Sequence, residues 1–430
     1  MKDDAVYSTL NYMARFGCIG ADCEDNCCHS WNVFVDKDTH NLLKLALKSN
    51  PEHRKKLKTH FTKVKIDKKR TQTMIRLNKD GTCPMLEPSG LCWIHSNYNE
   101  RLLPDVCATY PRRVSQIGNR QELTGAASCP EVTRQLLLYD DAMTPTHFDP
   151  ESQSRQILSS RQDPRDVRPY WHMQLTVRGF LIDLLNDGTR TMENRLFTVC
   201  YFAHRTQDTM NKQSNRCAVE AINKEIENFK ESDFLDAIEQ RSEAVSPPSS
   251  MVVLLVREML KGEPSGRARI SFKLLTRLVF DTYRNLEQLS DNGELKSLGA
   301  EKLTQEIFNE YQARKNRIKS VATHQIERYF INLAIYYLMH HQYFSAPELL
   351  TYFSRHLTQM AVVKFLLFSH PSLLDVSDDD IGSELDKAVV EVVYKTARYI
   401  EHSDLLHKLE ETLQKHHLSG LAGALYLIRF

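Results

Sequence analysis

Eight of the ten cysteines in this 430-residue chain fall between Cys18 and Cys129. Thiols rarely crowd like this by chance, so the first part of the chain is expected to be organised around them. The N-terminus, Met1-Lys2-Asp3-Asp4, is charged and has no apolar signal core behind it. The most apolar runs, Ile331–Met339 and Ala361–Phe368, are too short to span a bilayer. A cytoplasmic location without a membrane partner is therefore expected. In that compartment thiols stay reduced and read first as metal ligands or catalysts.

The cysteines divide the chain in two. Up to about residue 140 the sequence is irregular, with a helical stretch near Thr39–His60 and short alternating runs at Lys63–Ile66 and Thr73–Leu77. A hairpin is expected where Val114–Ile117 turns at Gly118-Asn119 into Gln121–Thr124. Residues 141–168 are polar and proline-rich and read as a linker or long loop. From 169 to 430 the pattern is helix after helix. Ile326, Phe330, Leu333 and Tyr337 recur at helical spacing, as do Leu405, Leu409 and Leu413 before a stop at Gly420. The expected fold is mainly α. A small mixed α+β cysteine-rich domain, residues 1–140, precedes a helical domain.

Composition narrows the function classes. A net charge of +1 gives no global attraction to nucleic acid or anionic membrane, so any charged site must be local. No dinucleotide-type glycine loop and no Walker loop occurs, so a small-molecule cofactor must be held in some other way.

The thiols are arranged as Cys18-Ile-Gly-Ala-Asp-Cys23-Glu-Asp-Asn-Cys27-Cys28, then Cys83-Pro-Met-Leu, Gly90-Leu-Cys92, Pro104-Asp-Val-Cys107 and Ser128-Cys129-Pro130. Soft thiolates from short loops suit zinc or an iron–sulfur cluster. Structural zinc favours paired C-x-x-C knuckles, and none is present, so the spacing favours iron–sulfur. The candidate ligands are Cys18, Cys23, Cys27, Cys28, Cys83, Cys92, Cys107 and Cys129. Cys200 and Cys217 stand apart and read as core residues of the helical region.

The adjacent pair Cys27-Cys28, followed by Cys83-Pro-x-Leu, Gly-x-Cys92 and Pro-x-x-Cys107, resembles the zinc- or iron-chelating proteins named for their clustered cysteines. Asp25-Asn26-Cys27-Cys28 leading through Trp31 to Val35-Asp36 is similar to the FliB flagellin lysine N-methylases. So are Cys107-Ala-Thr-Tyr110-Pro111-Arg112 and Ser128-Cys129-Pro130-Glu131. The motifs cover about residues 16–138. That resemblance implies a [4Fe–4S] cluster, S-adenosylmethionine as methyl donor and flagellin as protein substrate. Cys23-x3-Cys27 matches half of the Cys-x3-Cys-x2-Cys of radical enzymes, but Cys28 follows at once and breaks the pattern. Two other classes stay open: a metal-braced module that binds a partner without chemistry, and an iron–sulfur redox sensor.

Secondary candidates lie beside the thiols. His29 and His95 are possible ligands, more often hydrogen-bond partners. Trp31, Trp93 and Tyr110 could wall a lysine site by cation–π attraction, or simply pack. Asp22, Glu24, Asp25 and Glu131 are near the cysteines, and none is singled out as a catalytic base. Nine of the seventeen residues from Arg54 to Arg70 are basic, which reads as a solvated face or a docking surface for an acidic partner.

Overall fold

The computed structural model describes residues 6–29, 33–67, 70–153, 155, 157–161, 169–212, 215–261, 267–283, 300–341, 343, 348–400 and 404–430. Trp31 and residues 162–168 of the polar stretch lie outside them. The chain divides into two compact units. One comprises Met1–Gln135, Thr144–Gln162 and Pro264–Ser271; the other comprises Leu136–Met143, Asp163–Glu263 and Phe272–Phe430.

The first, cysteine-rich unit contains two sheets. Strands β1 (Val6–Leu10), β2 (Val33–Val35), β3 (Phe61–Lys65), β4 (Thr71–Ile75), β5 (Arg112–Ile117), β6 (Arg120–Gly125), β7 (Pro145–His147) and β8 (Leu158–Arg161) alternate with short helices α1 (Asn11–Ala14), α2 (Lys37–Ala46), α3 (Pro51–His60), α4 (Trp93–Asn97), α5 (Asp105–Thr109) and α6 (Pro130–Leu137). The larger sheet runs β7-β1-β6-β5-β8 and the smaller β2-β4-β3. The expected hairpin is β5–β6, with Ile117 opposite Arg120. Gly118 takes a φ of +59°, which a two-residue hairpin loop of the II′ kind needs at its first position. Within the polar stretch, β7 pairs antiparallel with β1 and β8 pairs parallel with β5.

The helical stretch near Thr39–His60 is two helices. Asp36 caps α2 by accepting a 2.7 Å hydrogen bond from the Thr39 amide. Asn50 then accepts from the amides of Glu52 and His53, both at 3.1 Å, and Pro51 opens α3. Leu43, Leu47 and Leu57 from these helices bury against Val33, Val35 and Ile75 of the small sheet.

The second unit is built of helices: α7 (Pro169–Leu185), α8 (Met192–Lys212), α9 (Asn215–Asn228), α10 (Ser232–Glu243), α11 (Ser250–Leu260), α12 (Arg267–Asp281, which belongs to this unit from Phe272 on), α13 (Ala300–His340), α14 (Leu349–Phe368), α15 (Ile381–Ile400), α16 (Leu405–Lys415) and α17 (Gly420–Arg429). Helix α14 is buried along almost its whole length, so it reads apolar on every side and carries no single stripe. Helix α13 bends at Ala322, whose φ of −126° departs from helical geometry. The stop expected at Gly420 falls earlier. His417 takes a left-handed φ of +57° and reverses the chain, and Gly420 opens the next helix. No helix among the described residues is long and apolar enough to cross a membrane.

Two glycines test this packing. A methyl group on Gly423 would overlap the carbonyl oxygen of Leu418, whereas Gly179, within α7, has open space around it. Gly423→Ala should lower stability by about 1–3 kcal/mol, and Gly179→Ala should raise it by about 0.5–1 kcal/mol. Thermal melting of the two variants checks both signs; equal melting temperatures would contradict this packing.

Candidate metal centre

The thiols gather because the small sheet and its helices leave one apolar core for the loops to close over. Cys83 lies in that core, with Trp93, Ile94, Leu103 and Ala108, and Cys28, Cys92 and Cys107 pack against it. Backbone hydrogen bonds fix their positions. The Cys83 amide donates to the Cys28 carbonyl at 2.9 Å, and His29 and Thr82 form an antiparallel bridge beside them. The Asn26 side chain accepts from the Cys28 amide at 3.1 Å. Leu86 and Cys92 form a second bridge, where the Trp93 amide donates to Met85 at 2.6 Å. Cys92 then begins α4, and Cys107 sits in α5 with its amide on the Pro104 carbonyl at 2.9 Å.

Electrostatics join five sulfurs into one group. Burial pushes the Cys83 thiol up to about 11. The Met85 amide opposes that shift, Cys92 and Cys27 add to it, and the Leu86 amide opposes it again. Cys92 is raised by burial, against the amides of His95 and Ile94, with Cys27 and Glu87 adding. These amides bear on the Cys92 thiol without closing a capping hydrogen bond to it. Cys107 is raised by burial and then by Cys27, Cys83 and Cys92. Cys28 is raised first by its hydrogen bond with Cys27, then by burial, then by the charges of Cys27, Cys92 and Cys83. Left to themselves these thiols cannot ionise together, whereas a bound metal cation inverts that balance and makes each a thiolate donor. The donor set therefore fits a thiophilic metal. Among the described residues, no three His, Cys, Asp or Glu side chains already form a cage for one ion.

Cys18, Cys23 and Cys129 occupy adjoining loops. The Cys18–Cys23 loop lies against the Gly90-Leu91 loop: a Cβ on Gly90 would come within 3.3 Å of Ala21, and one on Gly20 within 3.3 Å of Leu91. Glu24 pairs with Arg134 at 2.5 Å, and Arg134 also pairs with Glu131, two residues beyond Cys129. Cys18 is exposed, and Cys23 and Cys129 are half-buried.

The other candidates resolve individually. Glu24 and Glu131 are engaged by Arg134, and Gln135 donates to Glu131 at 2.7 Å. Trp93 is buried, and its ring already receives the chain's own Lys56 ammonium at 4.5 Å. The Tyr110 hydroxyl lies 3.2 Å from that of Ser128. Cys200 is a core residue, 1% exposed, but Cys217 is exposed, against expectation. Ala218, Ile222 and Ile226 form the buried stripe of α9, and Cys217 falls outside it. Arg155 was not singled out. It pairs with Asp105 and donates to the Arg101 and Leu103 carbonyls at 2.9 and 2.6 Å, fixing the approach to Cys107. Fifty residues separate Arg155 from Asp105, and no local motif signals the pairing.

This fold around grouped thiols defines a cysteine-rich metal-binding protein. Residues 17–130 match a family model described as "Putative zinc- or iron-chelating domain". Residues 178–427, more than half of the sequence, match the FliB lysine N-methylase C-terminal domain, and the chain belongs to that family. Similar proteins include lysine-N-methylases of Salmonella typhimurium, 24% identical over 196 residues, and of Salmonella choleraesuis, 23% identical over 196 residues. Each match covers 46% of this chain and 46% of the relative, so the chain aligns with less than half the length of these methylases. The flagellar biosynthetic protein FliU of Salmonella muenchen is 26% identical over 140 residues, 31% of this chain and 77% of that protein. No solved structure matches.

Serine at Cys28, Cys83, Cys92 or Cys107 should remove more than about half of the bound metal, since each replaces a soft thiolate donor. Cys217→Ser should leave metal content unchanged. Elemental analysis of the purified variants checks this, and equal losses across the series would contradict the grouping.

Proposed function

We propose that this protein is a protein-lysine N-methyltransferase. In this reading its donor is S-adenosylmethionine, its substrate is flagellin, and its cysteine-rich unit carries a [4Fe–4S] cluster. The observation that carries the reading is the match of residues 178–427 to the methylase C-terminal domain. The names of relatives, lysine-N-methylase and flagellar biosynthetic protein, support a flagellar lysine substrate.

The thiol group supports the cluster. Cys28, Cys83, Cys92 and Cys107 share one apolar core, and in a cluster each iron takes its own thiolate. Cys27, Cys28, Cys83, Cys92 and Cys107 would supply ligands, with Cys18, Cys23 and Cys129 on the adjoining loops. When bound, the cluster supplies Lewis-acidic iron and cross-links the loops that carry it.

Methyl transfer itself needs no radical. The lone pair of a neutral lysine amine attacks the sulfonium methyl carbon. The carbon–sulfur bond breaks with its electron pair on sulfur, and the new ammonium loses a proton to solvent. The enzyme must therefore deprotonate an amine of ordinary pKa about 10.4 and align it in line with the donor. Burial of the substrate amine lowers its pKa by desolvation and supplies much of the first task.

Anaerobically purified protein should contain iron with acid-labile sulfide; stoichiometric zinc without sulfide would contradict the cluster. Given a donor with a fully deuterated methyl group, flagellin peptides should gain all three deuterons per methylation, with no deoxyadenosine. Deuterium loss would overturn polar displacement, and absence of any transfer would overturn the methylase reading.

A further inference from the structure

Positive charge is concentrated in one part of the cysteine-rich unit. Between Lys37 and Lys79 there are fourteen lysines and arginines against three acidic residues, in a chain whose net charge is +1. These residues build α2, α3 and the β3–β4 hairpin. Helix phase sorts α2 into three faces. Thr39 and Leu43 are buried, and Lys37 and Lys44 lie on one exposed flank. Leu42 and Leu45, with Asp38 at their N-terminal end, lie on the other flank, the two leucines 49% and 69% exposed. The lysine flank adjoins the small sheet. The His40 ring stacks on Phe61 and its Nδ1 lies 3.2 Å from the Thr73 hydroxyl, and Thr73 pairs across the ladder with Lys63. Phe61, Lys63 and Lys65 share that sheet face by strand alternation, and both lysines are exposed.

Among the described residues, Lys37, Lys44, Lys63 and Lys65 have no carboxylate partner, and Asp67, two residues beyond Lys65, is paired with Arg70 at 2.6 Å. His40 feels the accumulated charge: burial lowers its pKa first, and Lys44 and Lys63 lower it further. The result is a basic row beside an apolar row, running about 15 Å along the ten residues of α2. A nucleic acid would satisfy the lysines and leave both leucines against water, and the Phe61 ring that could stack on a base is already stacked on His40. A bilayer surface needs more apolar area than two leucines supply. A protein helix with acidic residues along one flank and apolar residues at i and i+3 or i+4 along the next pairs both rows at once.

We propose that this face of α2 and β3 docks an acidic amphipathic helix of the protein substrate, the identity of that substrate as flagellin resting on the methylase reading. The test follows binding of the full chain to immobilised flagellin by interferometry. The triple variant Lys44→Glu, Lys63→Glu, Lys65→Glu should weaken binding about tenfold or more and flatten its salt dependence. Leu42→Ser with Leu45→Ser, both at exposed positions, should also weaken it and keep the salt dependence of wild type. Lys224→Glu, Lys302→Glu and Lys415→Glu, at exposed positions of the helical unit, make the same change in net charge and should have no such effect. An equal loss there would overturn the face, as would tighter binding to phosphatidylglycerol vesicles or duplex DNA than to flagellin. If wild type methylates flagellin and the α2 and β3 variants bind like wild type, the face is overturned and the methylase reading stands. If wild type neither binds nor methylates flagellin, both fall.

Discussion

The packing of Cys28, Cys83, Cys92 and Cys107 on one apolar core, where ionised sulfurs would repel one another, is the constraint on which the cysteine-rich unit depends. Cys28, Cys83, Cys92 and Cys107 meet where packing wants no charge, and Cys27 adds its own. Burial and the repulsion between ionised sulfurs both raise these thiols. Around them the chain spends short strands, a capped helix pair and two backbone bridges to bring distant loops together. Arg155, reaching three separate points near Cys107, belongs to the same effort. Such loops carry little apolar mass of their own, so a metal that cross-links them contributes directly to folding.

The helical unit works on other terms. Its core is large and self-sufficient, built on α14 and on aromatic stacking such as Tyr311 against Phe430 at 4.9 Å. What stands out there is buried positive charge. Lys364 is fully buried with its ammonium on the Ile428 carbonyl, and Lys315 is held by two backbone oxygens. Buried cations cost stability unless paired, and here backbone oxygens and the nearby Glu193 carboxylate offset that cost.

Much of this was legible in the sequence, because the strongest signals are local. The crowding of cysteines, the Gly118-Asn119 turn and the helical spacing of Ile326, Phe330, Leu333 and Tyr337 each lie within a few residues. What the sequence did not reveal has a different cause. Strands β7 and β8 are only three and four residues long and largely polar, so they leave no hydrophobic periodicity. Cys217 and Cys200 look equivalent until helix phase is known. His417 in a left-handed conformation is a turn that composition does not advertise. Contacts such as Arg155 with Asp105, or Arg134 with Glu24 across 110 residues, are set by tertiary structure and by nothing nearby in sequence.

The central claim is that a bound metal holds the thiol core together while the helical unit stands without it. Hydrogen exchange read by mass spectrometry, before and after anaerobic metal removal, measures this most directly. The account predicts that the amides of Cys28, Cys83, Trp93 and Cys107 lose protection on metal removal, while those of α14 keep theirs. Equal protection of the cysteine loops with and without metal would contradict it.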